Sequence, residues 1–135
     1  SIHSSMSMDK KTMTNRIVKA LSHPLVNILG HPTGRLLLGR QPYEVDMEEI
    51  FQAARENNII LELNANFHRL DLSWENLIRA QELSIPIAIS PDAHSTRQLQ
   101  MTEYGIMTAR RAGLTCKDCI NCLSLEEVMK VLKKF

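Results

Sequence analysis

Apolar residues recur along this chain at the i, i+3, i+4, i+7 spacing that gathers them on one face of a helix. Met47, Ile50, Phe51 and Ala54 make one such face, behind Asp46 and with Glu49 three positions on, an acidic helix start. Trp74, Leu77 and Ile78 make a second, capped by Ser73. Leu125, Val128, Met129 and Leu132 make a third. There Ser124 and Glu127 form a capping box, and Lys130, Lys133 and Lys134 suit the negative end of the helix. An earlier helix is expected over about 9–21, with Met13, Ile17, Ala20 and Leu21 inward.

Between the helical patterns lie short apolar runs at 26–29, 59–63 and 85–89, of strand length and rich in β-branched residues. Ile2 followed by His3 reads as the tail of a further strand. Pro86 must begin its strand, where no ladder donor is missed. Strand alternating with helix is the signature of parallel βαβ units, so the fold class is α/β. From Ser95 to Phe135 the pattern reads as wholly helical, with Gly105 and Gly113 as breaks. The chain shows no internal repeat and no linker.

Composition narrows the classes. The 135 residues suffice for a single compact domain. Sixteen basic and fifteen acidic side chains give a net charge of +1, which removes the case for a large basic face. No apolar run approaches the roughly 18 residues of a membrane span. The run Leu36-Leu37-Leu38 is flanked by Arg35 and Arg40. The N-terminus is polar and lacks the apolar segment of a signal peptide. Three cysteines, an odd number, argue against a disulfide framework and for a reducing compartment, so a cytoplasmic location is expected. The start at Ser1, without Met, reads as a piece of a longer precursor.

The candidate chemistry falls at strand ends. His3 follows Ile2, His31 lies two residues after Leu29, Asn64 and Asn66 follow Leu63, and Asp92 and His94 follow Ile89. In a parallel sheet or barrel these ends share one rim, and that rim carries the site. His and Asp together are ligands for zinc, manganese or iron. In Asp92-Ala93-His94 the i, i+2 spacing of an extended segment would put both side chains on one side. Two readings stand: a metal site, or separate hydrogen-bonded structural residues. His23, at a helix end before Pro24, and His68, in a loop, are not read as ligands. Arg35, in a loop bracketed by Gly30, Gly34 and Gly39, either grips phosphate or makes a surface ion pair. Arg69 and the pair Arg110-Arg111 are weaker candidates. Cys116, Cys119 and Cys122 form C-x2-C-x2-C, the spacing of an iron–sulfur run, without its fourth cysteine. Thr115 with Asp118 reads as a helix start that would place Cys116, Cys119, Ile120 and Leu123 on one buried face, with cysteine as a small hydrophobe.

Several runs together carry a family resemblance. They are Ser1-Ile2-His3-Ser4, Gly30-His31-Pro32-Thr33-Gly34-Arg35-Leu36-Leu37, Tyr43-Glu44-Val45-Asp46 and Glu62-Leu63-Asn64-Ala65-Asn66. Arg69-Leu70-Asp71-Leu72, Asp92-Ala93-His94-Ser95 and Gly105-Ile106-Met107-Thr108-Ala109-Arg110-Arg111 follow in order. The whole chain resembles the C-terminal part of the PHP (polymerase and histidinol phosphatase) domain of bacterial and archaeal family X DNA polymerases.

The resemblance implies the C-terminal half of a distorted barrel of about seven β/α units. It implies a centre of up to three divalent metals, manganese or zinc, at the C-terminal rim. It also implies phosphoester hydrolysis, as a 3′–5′ exonuclease and 3′-phosphatase of DNA repair. Carried over by position, His3 and His31 match ligands of one metal, Asp92 of a second and His94 of a third. Arg35 sits in the ligand loop. The family's other ligands come from earlier strands and are not in this sequence, so residues 1–135 are expected to be a partial domain, inactive alone. Its implied partners are the DNA 3′ end, the upstream half of the domain and a polymerase domain, or a second copy of the chain, with no membrane. Two other functions stand beside this one: a stand-alone phosphatase of a small monoester such as histidinol phosphate, and a non-catalytic interaction module.

Overall fold

The computed structural model describes residues 1–132. In chain order these residues form α1 (Lys10–Leu21), β1 (Ile28–Leu29), α2 (Met47–Glu56), β2 (Ile60–Asn64), α3 (Trp74–Glu82), β3 (Ile87–Ser90), α4 (Thr102–Arg111) and α5 (Leu125–Val131). Short 3-10 turns lie at Thr96–Met101 and Ile120–Cys122. The three strands are parallel in the order β1-β2-β3. Ile28 lies beside Ile60, and Leu61 through Asn64 lie beside Ile87 through Ser90. The chain is therefore α/β, and all three C-terminal strand ends open on one edge. The central strand β2 carries Ile60, Leu61, Leu63 and Asn64 almost fully buried, as a parallel strand covered on both faces must.

Helix starts follow the local chemistry. Asp9, Asp46, Ser73 and Ser124 each accept a backbone N–H three residues on, and Ser124 with Glu127 closes the full capping box. The inward face of α1 is Met13, Thr14, Ile17 and Leu21, while Ala20 is exposed. Thr14 can be buried because its hydroxyl donates to the Lys10 carbonyl and accepts the Asp46 N–H, which ties α1 to the start of α2.

Several expectations are corrected. No strand forms around Ile2: its side chain joins the core, but His3 is exposed on irregular backbone. Residues 115–123 are not an α-helix. The start signal is made, since Thr115 donates its N–H and hydroxyl to the Asp118 carboxylate. The chain then extends instead, because the Asp118 carbonyl accepts the Ile87 N–H and Cys119 pairs with Ile87 along the outer edge of β3. A tertiary hydrogen bond thus overrides the local signal. Only Cys119 is buried, and Cys116 and Cys122 are exposed.

Gly105 does not break a helix. It lies within α4, where a Cβ would stand 2.6 Å from Ala65 Cβ and Ile89 Cγ2, so its bare backbone lets α4 close on the sheet. Gly113, at φ +81°, does end α4, donating its N–H to the Arg110 carbonyl. The apolar stripe of α5 is not a buried face: none of its residues is buried, and Leu125 is 77% exposed. Lys133 and Lys134, assigned to the end of that helix, lie outside the described residues.

Burial also pushes the Cys119 thiol up to about 11, which starves it of thiolate. Iodoacetamide at about pH 8 is therefore expected to modify Cys116 and Cys122 in the native protein. Cys119 should stay free until the chain unfolds. An early adduct on Cys119, seen by mass spectrometry, contradicts its pairing on the edge of β3.

Candidate active site at the C-terminal rim of the sheet

The three strand ends bring together residues that are far apart in sequence. His31 leaves the end of β1, Glu62 and Asn64 belong to β2, and Asp92 leaves the end of β3. The Glu62 carboxylate joins the outer two strands. It accepts the His31 backbone N–H at 2.7 Å and the Ser90 hydroxyl. The His31 ring is buried, with Nδ1 3.2 Å from Asn64 Nδ2 and Nε2 3.9 Å from Asp92 Oδ2. Asn64 Oδ1 accepts the Asn66 N–H, so its amide NH2 faces the ring. His3 completes the group, its ring edge-on to His31 with centroids 5.0 Å apart. Burial pushes the His31 imidazole below its ordinary pKa, toward the neutral form.

The loop that carries His31 is fixed from below. Asp71 accepts the Thr33 N–H, the Thr33 hydroxyl and the Gly34 N–H at 3.1, 2.8 and 2.9 Å. The Tyr43 hydroxyl donates to the carbonyls of His31 and Pro32. These bonds hold His31 at φ +52°, a left-handed conformation uncommon away from glycine. Asp71 is anchored in turn, exchanging backbone hydrogen bonds with Asn64. Burial pushes the Asp71 carboxyl up, against the pull of its three donors. It pushes the Tyr43 hydroxyl up as well.

Gly34 is part of this anchor. It sits at φ +62°, and a Cβ there would lie 2.6 Å from the Tyr43 ring. Gly34→Ala is expected to cost about 2–4 kcal/mol, from left-handed strain and displacement of Tyr43. Denaturant unfolding checks this, and a loss below about 1 kcal/mol would show that the loop is not held as described.

Asp92 also adopts a left-handed backbone, at φ +52°. The extended segment expected at Asp92-Ala93-His94 is therefore not formed. Asp92 turns back over the rim, where Arg69 Nε stands 3.3 Å from its Oδ2. His94 Nδ1 lies 2.8 Å from the Asp92 carbonyl, which can only accept, so Nδ1 carries a proton and Nε2 is directed elsewhere. Asp92, His94, Arg69, Asn66 and His68 line one cleft of about 350 Å³ with the Leu36–Gly39 loop opposite. Arg35 is not in that lining. Its half-buried guanidinium donates to the carbonyls of Arg69 and Leu70, so it braces the Arg69 turn. Burial lowers its pKa.

The donor types suit a divalent metal, but the described residues do not close a site for one. Among them no group of three His, Cys, Asp or Glu side chains is arranged to hold an ion. Asp92 is turned to Arg69, and His31 Nδ1 is taken by an amide. Glu62, Asp71 and Tyr43 stand outside the candidate residues that the sequence offers. Glu62 has one local mark, an acid in the middle of an apolar strand. Asp71 and Tyr43 carried no spacing signal, because their partner is a loop about 38 and 12 residues away.

Over 134 residues, 99% of its length, the chain is 39% identical to the DNA polymerase/3′-5′ exonuclease PolX of Bacillus subtilis. It is related to the C-terminal part of that PolX-type protein. Over 132 residues it is 28% identical to a probable phosphatase of Thermoanaerobacter sp., and over 86 residues 33% identical to one of Caldicellulosiruptor saccharolyticus. The matches take in 93% and 60% of this chain. The chain spans 24% of the length of PolX, and 51% and 34% of the two phosphatases. No family model matches it. Among the described residues, no helix is long and apolar enough to cross a membrane.

Proposed function

We propose that this chain is the C-terminal half of a distorted β/α PHP-type phosphoesterase barrel. Within a longer, PolX-like polypeptide it would act at DNA 3′ ends as an exonuclease and 3′-phosphatase. The observation that supports this reading best is the meeting of His3, His31, Asp92 and Glu62 at one strand-end rim. It agrees with the likeness to a named exonuclease and to named phosphatases. His3, His31, Asp92 and His94 would be this chain's share of a ligand set for manganese or zinc. The remaining donors would come from the upstream half of the same domain, ahead of which a polymerase domain is attached. Asp71 and Tyr43 fix the loop that carries His31, and Asn64 stands against its ring. Arg69 is the cation nearest the cleft, poised to exchange Asp92 for a phosphate oxygen. A cytoplasmic location and a role in DNA repair go with this reading.

A second reading is favoured by the phosphatase relatives, of one of which the chain spans about half. In it the substrate is a small phosphate monoester. Two preparations separate these readings: the 135-residue chain and the polypeptide of natural length isolated from its source cells. The natural polypeptide is expected to shorten a DNA strand from its 3′ end and to remove a 3′-phosphate, while the chain alone does neither. Hydrolysis confined to a small monoester such as histidinol phosphate favours the second reading. Inactivity of the natural polypeptide on every one of these substrates contradicts both, and leaves a non-catalytic interaction module or a self-paired half barrel.

A further inference from the structure

Beside the cleft stand aromatic rings that neither the core nor the rim cluster uses. Phe67 is 43% exposed, and Tyr104, on α4, is 45% exposed. Their centroids are 5.9 Å apart, edge to face, and Phe67 lies 4.1 Å from the ring of His68. His68 in turn lines the cleft with Asp92 and His94. A run of rings therefore leads from the outer surface of α4 to the wall of the candidate site.

This arrangement is held in place. Asn66 Oδ1 accepts the His68 N–H, and the Asn66 carbonyl accepts the N–H groups of Arg69 and Leu70. Gly105, next to Tyr104, seats α4 directly on Ala65 and Ile89. The rings are thus presented on a fixed turn and a fixed helix, with the Arg69 cation on the same turn as Phe67. An exposed aromatic ring beside a cleft that holds the Arg69 guanidinium offers the two parts that single-stranded nucleic acid requires, one for the base and one for the backbone.

We propose that Phe67, with Tyr104 behind it, is a stacking platform for the base of a nucleotide whose phosphate occupies the Asp92–His94 cleft. The ligand it selects is a single-stranded nucleic-acid end. A phosphate monoester without a base gains nothing from the platform. This inference rests on the phosphoester reading of the cleft and adds to it the contact that would make a nucleotide the preferred occupant.

Fluorescence anisotropy on the full chain at low ionic strength tests it. The two probes are an oligothymidylate of about eight nucleotides and an abasic strand of equal length. The base-bearing strand is expected to bind about tenfold tighter or more. Phe67→Ala and Phe67→Leu should erase that preference and Phe67→Trp should keep it, with circular dichroism showing that each variant is folded. Leucine keeps apolar bulk without the π-face, so it separates stacking from mere burial. Equal binding of both strands, binding of neither, or a Phe67→Leu variant with the full preference overturns the proposal.

Hydrolysis of a DNA 3′ end or of a small phosphate monoester by the natural polypeptide reports on the other reading separately. Base preference without that hydrolysis leaves the platform and removes the phosphoesterase. Hydrolysis without base preference leaves the phosphoesterase and removes the platform.

Discussion

Asp71→Ala is expected to be the most destabilising single substitution at the rim, by about 3–5 kcal/mol. Asp71 is fully buried and its carboxylate serves three donors from the His31 loop. Removing it leaves the Thr33 N–H, the Thr33 hydroxyl and the Gly34 N–H in the interior without that acceptor, and each such orphan costs about 1–3 kcal/mol. The losses are not fully additive, because the three donors belong to one loop that relaxes as a unit. For a domain of this length the loss corresponds to a fall in Tm of roughly 10–20 °C. Asp71→Asn should recover much of it, since an amide oxygen in the Oδ2 position keeps the Thr33 and Gly34 N–H donors and its NH2 can donate to the Thr33 hydroxyl. Thermal unfolding followed by circular dichroism decides the matter. A Tm within about 3 °C of the unaltered chain for Asp71→Ala would mean that the loop is held by something else. The effect should reach the site, because the left-handed backbone of His31 depends on the same anchor.

Much of the fold could be read from sequence because its signals are local. Asp9, Asp46, Ser73 and Ser124 each start a helix by a bond to a residue three positions on, so the residues that make the bond are visible together. The strands are legible for a related reason: a short β-branched run between two capped helices has few other fates. The failures are non-local. Thr115 and Asp118 make their helix-start bond and still no helix follows, because the Ile87 N–H reaches the Asp118 carbonyl first. The stripe of α5 is correctly helical, yet amphipathic spacing says nothing about whether a partner surface lies beneath it.

The site divides in the same way. Rim placement of His31 and Asp92 follows from the ends of parallel strands, which is topology, and could be inferred. The role of Arg35 could not. A cation between glycines looks available to phosphate until the carbonyls of Arg69 and Leu70 are seen to occupy it. The left-handed turn at Asp92 is also set by tertiary context. It replaces the extended spacing that would have lined up Asp92 with His94 and gives Asp92 to Arg69 instead.

The second large effect concerns activity. On the proposed function, the rim residues of this chain belong to a phosphoesterase site in a longer polypeptide. Asp92→Asn is the sharpest probe of it. Asparagine keeps the shape and tolerates the left-handed backbone at this position, so stability should be nearly unchanged. Only the charge is lost, and with it the ion pair to Arg69 and the carboxylate facing His31. His31→Ala is the companion, with a larger structural cost because that ring is buried against Asn64. A carboxylate that would hold a metal against the reacting phosphate would carry the charge stabilisation that the metal supplies, typically a factor of about 10²–10³ in rate. The measurement is the rate of 3′-end hydrolysis by the natural-length polypeptide bearing Asp92→Asn, with its Tm taken alongside. A fall of about a hundredfold or more is expected, with Tm preserved. An unchanged rate in a folded Asp92→Asn protein would contradict the proposed function.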